Sequence, residues 1–193
     1  MIFGGLESAG DLLARNARNF PNEIGLIFGE KRLTWQELDD RAKAFANSLF
    51  ELGLESGDRV AIYAKNSNQW VEALFGLAQV GLVSVTVNYR LTATEVAFIV
   101  ENSGAKAIIC DESTEQNSLQ VKEKVDCLEQ VINSELFENL VEKGKSAIRN
   151  PQSAIKGDEP CMLLYTSGTT GFPKGAIYSH YSLLVGMLVH VHA

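Results

Sequence analysis

Three short apolar runs separated by two helix-length segments constrain this chain more than any other feature. Residues 59–64 (RVAIYA), 82–87 (LVSVTV) and 106–110 (KAIIC) read as strands. Asn68–Val80, closed by Gly81, and residues 94–102, ending near Gly104, read as the helices between them. A strand that is apolar throughout is covered on both faces, and a helix between two such strands returns the chain to run parallel to its start. The expected fold class is α/β, a three-layer αβα arrangement around a mainly parallel sheet.

Local signals mark where further elements begin and end. Thr34-Trp35-Gln36-Glu37 and Thr92-Ala93-Thr94-Glu95 are capping boxes, in which a threonine and a glutamate three positions on satisfy each other's backbone N–H groups. Leu33 with Leu38, and Leu91 with Val96, are placed as the hydrophobic staples around them. The first of these helices carries Leu38, Ala42, Phe45, Ala46 and Leu49 on one face, and Gly53 is positioned to end it. Such a stripe is core packing. Ile24–Phe28 and Lys31–Thr34, joined by Gly29-Glu30, predict a hairpin. From 111 to 157 the chain turns polar: 112–117 and 143–151 read as solvated surface, 128–132 as a short strand and 134–143 as a helix. Regular order returns at 161–166 (CMLLYT), an apolar strand entered through Asp158-Glu159-Pro160.

Composition narrows the function classes. At 193 residues the chain is long enough for one sizeable domain, and a content of 46% hydrophobic and 21% charged residues belongs to a globular protein. A net charge of -7 with no Lys/Arg cluster argues against a sequence-independent grip on nucleic acid, so no nucleic-acid partner is expected. Cys110, Cys127 and Cys161 are odd in number and lack metal-ligand spacing, which suits reduced thiols in a cytoplasmic protein. Residues 1–10 lack a secretory signal. Residues 181–193 are apolar but fall short of the ~20 needed for a transmembrane segment. The chain stops inside that apolar stretch without a capping signal, so the expectation is a truncated piece of a larger protein.

The chemistry concentrates after the strand at 161–166. Thr166-Ser167-Gly168-Thr169-Thr170-Gly171-Phe172-Pro173-Lys174-Gly175 packs four hydroxyl side chains, three glycines and a lysine into ten residues. Glycines let backbone N–H groups turn toward one point and cup an anion. Hydroxyls rotate to donate to phosphate oxygens, and Lys174 adds a compact positive charge. A plain solvated turn is the alternative. It fits less well, because α/β sheets place ligands beyond the carboxyl ends of their strands. A simple hairpin into a following strand at 176–179 would also need far fewer residues. The loop is not a Walker A motif. Pro173 removes a backbone N–H, Gly175 offers no hydroxyl for Mg²⁺, and a strand rather than a helix follows the lysine.

With Leu164 and Tyr165 in front of it, this loop closely resembles the signature of the adenylate-forming superfamily. That group includes acyl-CoA synthetases, aryl-acid CoA ligases, firefly-type luciferases and peptide-synthetase adenylation domains. Leu33-Thr34-Trp35-Gln36-Glu37-Leu38, Gly57-Asp58-Arg59-Val60 and Val87-Asn88-Tyr89-Arg90-Leu91 are similar to family segments in the same order, and residues 93–111 resemble acyl- and aryl-CoA ligases. The resemblance implies that residues 1–193 are the N-terminal portion of an adenylation domain, part of the large domain of an acyl-CoA synthetase. It implies a two-step reaction in which a carboxylic acid, ATP with Mg²⁺, and CoA become acyl-CoA, AMP and pyrophosphate through an acyl-adenylate.

By the same resemblance the loop at 165–175 holds the ATP phosphates. Thr166, Ser167, Thr169 and Thr170 are the hydroxyl donors, Gly168, Gly171 and Gly175 give backbone freedom, and Lys174 gives charge. No catalytic residue in the narrower sense is assigned. His180 is read as a packing histidine, and Arg90 as the partner of a carboxylate near the second capping box. The family's adenine motif, Mg²⁺-holding acid, ribose-binding aspartate, hinge and C-terminal lysine have no counterpart here. The isolated chain is therefore expected to be inactive, and to self-associate through uncovered sheet edges. The substrate leans toward fatty or aromatic acids over amino acids. Two other classes stay open: a non-catalytic nucleotide- or partner-binding module that kept the loop, and a kinase-like phosphoryl-transfer enzyme, which the loop disfavours.

Overall fold

A computed structural model of the chain describes residues 6–145, 155–166 and 173–191. In order, the elements are α1 (Gly10–Asn19), β1 (Ile24–Phe28), β2 (Lys31–Thr34), α2 (Trp35–Glu51), β3 (Arg59–Tyr63), α3 (Asn68–Val80), β4 (Val83–Thr86), α4 (Ala93–Ser103) and β5 (Ala105–Cys110). They continue as α5 (Glu115–Lys122), β6 (Gln130–Ile132), α6 (Ser134–Gly144), β7 (Pro160–Thr166), β8 (Lys174–Ser179) and α7 (His180–Val191). The two hairpin strands β1 and β2 pair antiparallel with the bounds the sequence gives. Both capping boxes form, with Thr34 and Thr92 each accepting from the backbone of the glutamate three residues on. Gly81 closes α3 in the left-handed region at φ +77°, where a side chain would be strained.

The main sheet has six strands in the order β6-β5-β3-β4-β7-β8. Every neighbouring pair is parallel except β7 with β8. Alternate residues of each strand face opposite layers. Val60, Ile62, Ala107, Ile109 and Ile132 pack under α2, α3 and α6, while Ala61, Tyr63, Val85 and Ile108 pack under α4 and α5. The three-layer αβα expectation holds.

A buried charge network fastens the first layer. Glu72 of α3 has no exposed surface, and Arg41 of α2 grips it at both oxygens, 3.1 and 2.9 Å. The same guanidinium reaches Glu138 of α6 at 2.8 Å, and Asn68 adds a further donor to Glu72 at 2.8 Å.

Two polar stretches read as solvated surface are exposed in part, at Glu112, Ser113 and Gln116 and at Lys143 and Lys145, yet each also carries a buried residue. Residues 112–117 lead into α5, and Thr114 and Ser118 are buried. The Thr114 hydroxyl donates to the Tyr63 carbonyl at 2.6 Å and that of Ser118 to the Thr114 carbonyl at 3.0 Å. Polar side chains enter a core when they are hydrogen-bonded, and the sequence does not display those partners. In the stretch 143–151, Gly144 is a buried residue of α6 facing α2; residues 146–151 lie outside the described residues. Helix α1 is missing from the sequence reading although Ser8-Ala9-Gly10-Asp11 has the capping-box pattern: the Ser8 N–H donates to Asp11 Oδ2 at 2.7 Å and the Asp11 N–H to Ser8 Oγ at 3.3 Å.

Candidate functional site

The site is carried by a hairpin at one edge of the main sheet. β7 joins the parallel strands through Met162–Leu164, which pair with Ser84–Thr86 of β4. Its carboxyl end therefore lies on the same rim as those of β3, β4 and β5, the rim where open α/β sheets bind ligands. β8 returns antiparallel, and the register sets Thr166 directly opposite Lys174 and Tyr165 opposite Gly175. Both Thr166 and Lys174 are exposed at this rim. Of the loop residues assigned to phosphate, Ser167, Gly168, Thr169, Thr170 and Gly171 lie outside the described residues. The segment after Lys174 is a strand, and the next helix, α7, starts only at His180, as the argument against a Walker loop requires.

Gly175 differs from its expected role. Backbone freedom was the reason given for it, yet it sits inside β8 and is not among the glycines with positive φ. A Cβ there would meet the Tyr165 ring at 3.0 Å, so space for that ring is what the position requires. The Tyr165 hydroxyl in turn donates to Asn102 Oδ1 of α4 at 2.7 Å. Burial raises the Tyr165 pKa, which keeps the phenol a proton donor at neutral pH.

Other groups crowd the same rim. Tyr63, fully buried at the end of β3, donates to the Leu91 carbonyl and accepts from Asn117 Nδ2 at 3.0 Å, so it pins the β4–α4 connection to α5. On that connection the Arg90 guanidinium lies 5.1 Å from the centre of the Tyr89 ring, with the Lys65 ammonium 5.8 Å from the same ring. Arg90 makes no ion pair with a carboxylate among the described residues, which corrects the pairing expected for it; its partner is the aromatic face next door. A cavity of about 250 Å³ opens beside β3 and β5, lined by Ile62, Trp70, Ile109, Cys110, Asp111 and Ser134. Neither Thr166 nor Lys174 lines it.

His180 is wholly buried, as a packing histidine should be, and its Nδ1 accepts the Ala9 backbone N–H at 3.1 Å, but its buried Nε2 finds no hydrogen-bond partner among the described residues. All three cysteines are free thiols. Burial pushes Cys110 up to about 11 and Cys161 up to about 12, so neither is a nucleophile at neutral pH. No three His, Cys, Asp or Glu residues among those described cluster into a metal-holding group.

A profile for the family described as "AMP-binding enzyme" matches residues 13–192, nearly the whole chain. The chain belongs to that family. Among its AMP-binding relatives is a long-chain-fatty-acid–CoA ligase of Mycobacterium tuberculosis, 34% identical over 153 residues, covering 79% of this chain and 30% of the relative. A feruloyl-CoA synthase of an Amycolatopsis species is 32% identical over 178 residues, covering 92% of this chain and 34% of the relative. In three dimensions the family fold superposes on an anthranilate CoA ligase solved with anthranoyl-AMP, with TM-score 0.83, 26% identity, and 90% of this chain and 34% of that one covered. The chain thus spans about a third of the length of the curated relatives it matches. No helix among the described residues is long and apolar enough to cross a membrane.

Proposed function

We propose that residues 1–193 are the N-terminal portion of the adenylation domain of an ATP-dependent acid–CoA ligase, and that the loop at 165–175 grips the β- and γ-phosphates of Mg·ATP. The observation that carries this reading is the family signature sitting on a two-stranded stem whose ends, Thr166 and Lys174, face each other at the ligand-binding rim. In the first step a carboxylate oxygen of the acid bonds to the α-phosphorus, and the bond to the bridging oxygen of pyrophosphate breaks. Negative charge grows on the departing pyrophosphate. The Lys174 ammonium and the hydroxyls of Thr166, Ser167, Thr169 and Thr170 meet it, with Gly168 and Gly171 letting backbone N–H groups converge. Donors placed in advance are worth about 2–4 kcal/mol each in a transition state of this kind. In the second step the thiol of CoA attacks the acyl carbonyl, its proton departs, and AMP leaves.

The substrate is a small-molecule carboxylic acid, fatty or aromatic in class, in keeping with relatives named for long-chain fatty and feruloyl substrates. Mg²⁺ enters as part of the nucleotide complex. The three free thiols accord with a cytoplasmic protein, and the charge of -7 with a partner that is not nucleic acid. The isolated chain supplies only one wall of the site and by itself turns over no acid.

The test is ATP–pyrophosphate exchange by the full-length parent enzyme over a panel of carboxylic acids. Exchange is expected with at least one fatty or aromatic acid, and Lys174→Ala lowers it by about 100-fold or more. Unchanged exchange in Lys174→Ala refutes the role given to the loop.

A further inference from the structure

The stem of the phosphate loop overhangs the sheet. Pairing between β7 and β4 ends at Leu164 with Thr86, whereas pairing between β7 and β8 runs on to Tyr165 with Gly175 and Thr166 with Lys174. The residues that launch and receive the loop are thus held to each other beyond the point where the body of the sheet holds them. Among the described residues, β8 pairs with β7 alone. A two-stranded ribbon has little stability of its own, so a contact outside the ladder helps to fix where it sits.

The Tyr165 side chain is placed to do so. Its ring lies against Gly175 across the stem, in the space a side chain at 175 would occupy, and its hydroxyl donates to Asn102 Oδ1 at 2.7 Å. The anchor is itself fixed. Asn102 stands in the last turn of α4, whose terminal carbonyls are capped from the central strand: Arg59 Nε donates to the Ser103 carbonyl at 2.8 Å and Nη2 to the Gly104 carbonyl at 3.0 Å. A continuous series of contacts runs from the loop stem through Tyr165 and Asn102 to the end of α4 and into β3.

We propose that Tyr165, acting through Gly175 and Asn102, is the positioning residue that sets the aim of the phosphate loop. This rests on the reading that the loop holds ATP phosphates. Tyr165 touches no reacting atom; it limits where Thr166 and Lys174 point when pyrophosphate charge develops. A displacement of the loop by a fraction of an ångström weakens every donor on it together, whereas the binding of the carboxylic acid is untouched.

The experiment uses the full-length parent enzyme and ATP–pyrophosphate exchange, comparing Tyr165→Phe, Asn102→Ala, the double variant and Gly175→Ala, with Lys174→Ala alongside. Tyr165→Phe keeps the ring and removes only the hydroxyl, so the fold survives and thermal denaturation verifies it. Each single variant is expected to lower kcat/KM for ATP by about 10-fold with KM for the acid unchanged, in line with the sensitivity of rate to small misplacement. The double variant is expected to be no worse than either single one, because both remove the same contact. Gly175→Ala, which displaces the ring but leaves both hydrogen-bonding groups in place, is expected to reproduce the same kinetic pattern.

If Tyr165→Phe retains full kcat/KM for ATP while Lys174→Ala abolishes exchange, the positioning role is wrong and the loop reading stands. Singles whose effects multiply, or a loss that tracks a lowered Tm and falls equally on ATP and acid, also overturn it. Wild-type exchange in Lys174→Ala overturns the loop reading and the positioning role together.

Discussion

His180 shows how much can hang on one side chain with no exposed surface. Its Nδ1 accepts from the Ala9 backbone, so the ring carries its proton on Nε2 and is neutral. Burial lowers its pKa from the ordinary value of 6.5, with the carboxylates of Glu159 and Asp11 opposing that shift. A base whose folded pKa lies below its unfolded one contributes stability that is complete above 6.5 and is lost as pH falls from there through the folded value. Protonating Nδ1 would also set two donors face to face at Ala9. Stability measured by urea denaturation is expected to drop between pH 7 and 5, and His180→Asn, which does not titrate, to flatten that slope. Equal slopes in the two proteins would show that the histidine is not the titrating group. A packing role was legible from the place of His180 just past a strand. Its partner, 171 positions away, was not.

At the scale of elements, what the chain announced was local and what it concealed was distant. Caps, staples and closing glycines are written within four or five residues, so α2, α3, α4 and the β1–β2 hairpin could be read with little error. α5 could not, because the burial of Thr114 depends on a carbonyl of β3, 51 positions earlier. The register that sets Tyr165 over Gly175 was hidden for the same reason, and Gly175 was given a role its backbone does not need. Gly144 is a further instance. A Cβ there would stand 1.8 Å from the Ala44 carbonyl oxygen, where α6 presses against α2, yet nothing in the sequence distinguishes it from a surface residue. Gly144→Ala must push the two helices apart, and is expected to destabilise the chain by about 1–3 kcal/mol in urea denaturation. A wild-type midpoint would mean the helices separate without cost.

For the molecule as a whole, the alternation of strands and helices gave the αβα layering, and a ten-residue loop gave the family. Neither gave the positions of the loop donors between Thr166 and Pro173 relative to one another. Among the described residues one edge of the sheet is β8, where Ile177 is 68% exposed, and Tyr181 and Val185 of the following helix are also exposed. An apolar terminal strand with open backbone groups recruits another chain. The isolated 193-residue chain is expected to sediment as more than a monomer, and Ile177→Lys to reduce that association; a monomer at every concentration would contradict it.

The strand order also bears on how the protein is made. β3, β4, β5 and β6 precede β7 in the chain and are neighbours in the sheet, so these four strands need nothing beyond residue 160 in order to pair. The hairpin carrying the loop follows them in the chain and pairs with β4, whose edge is vacant until then. A nascent chain therefore adds the hairpin to a sheet whose receiving edge is already in place.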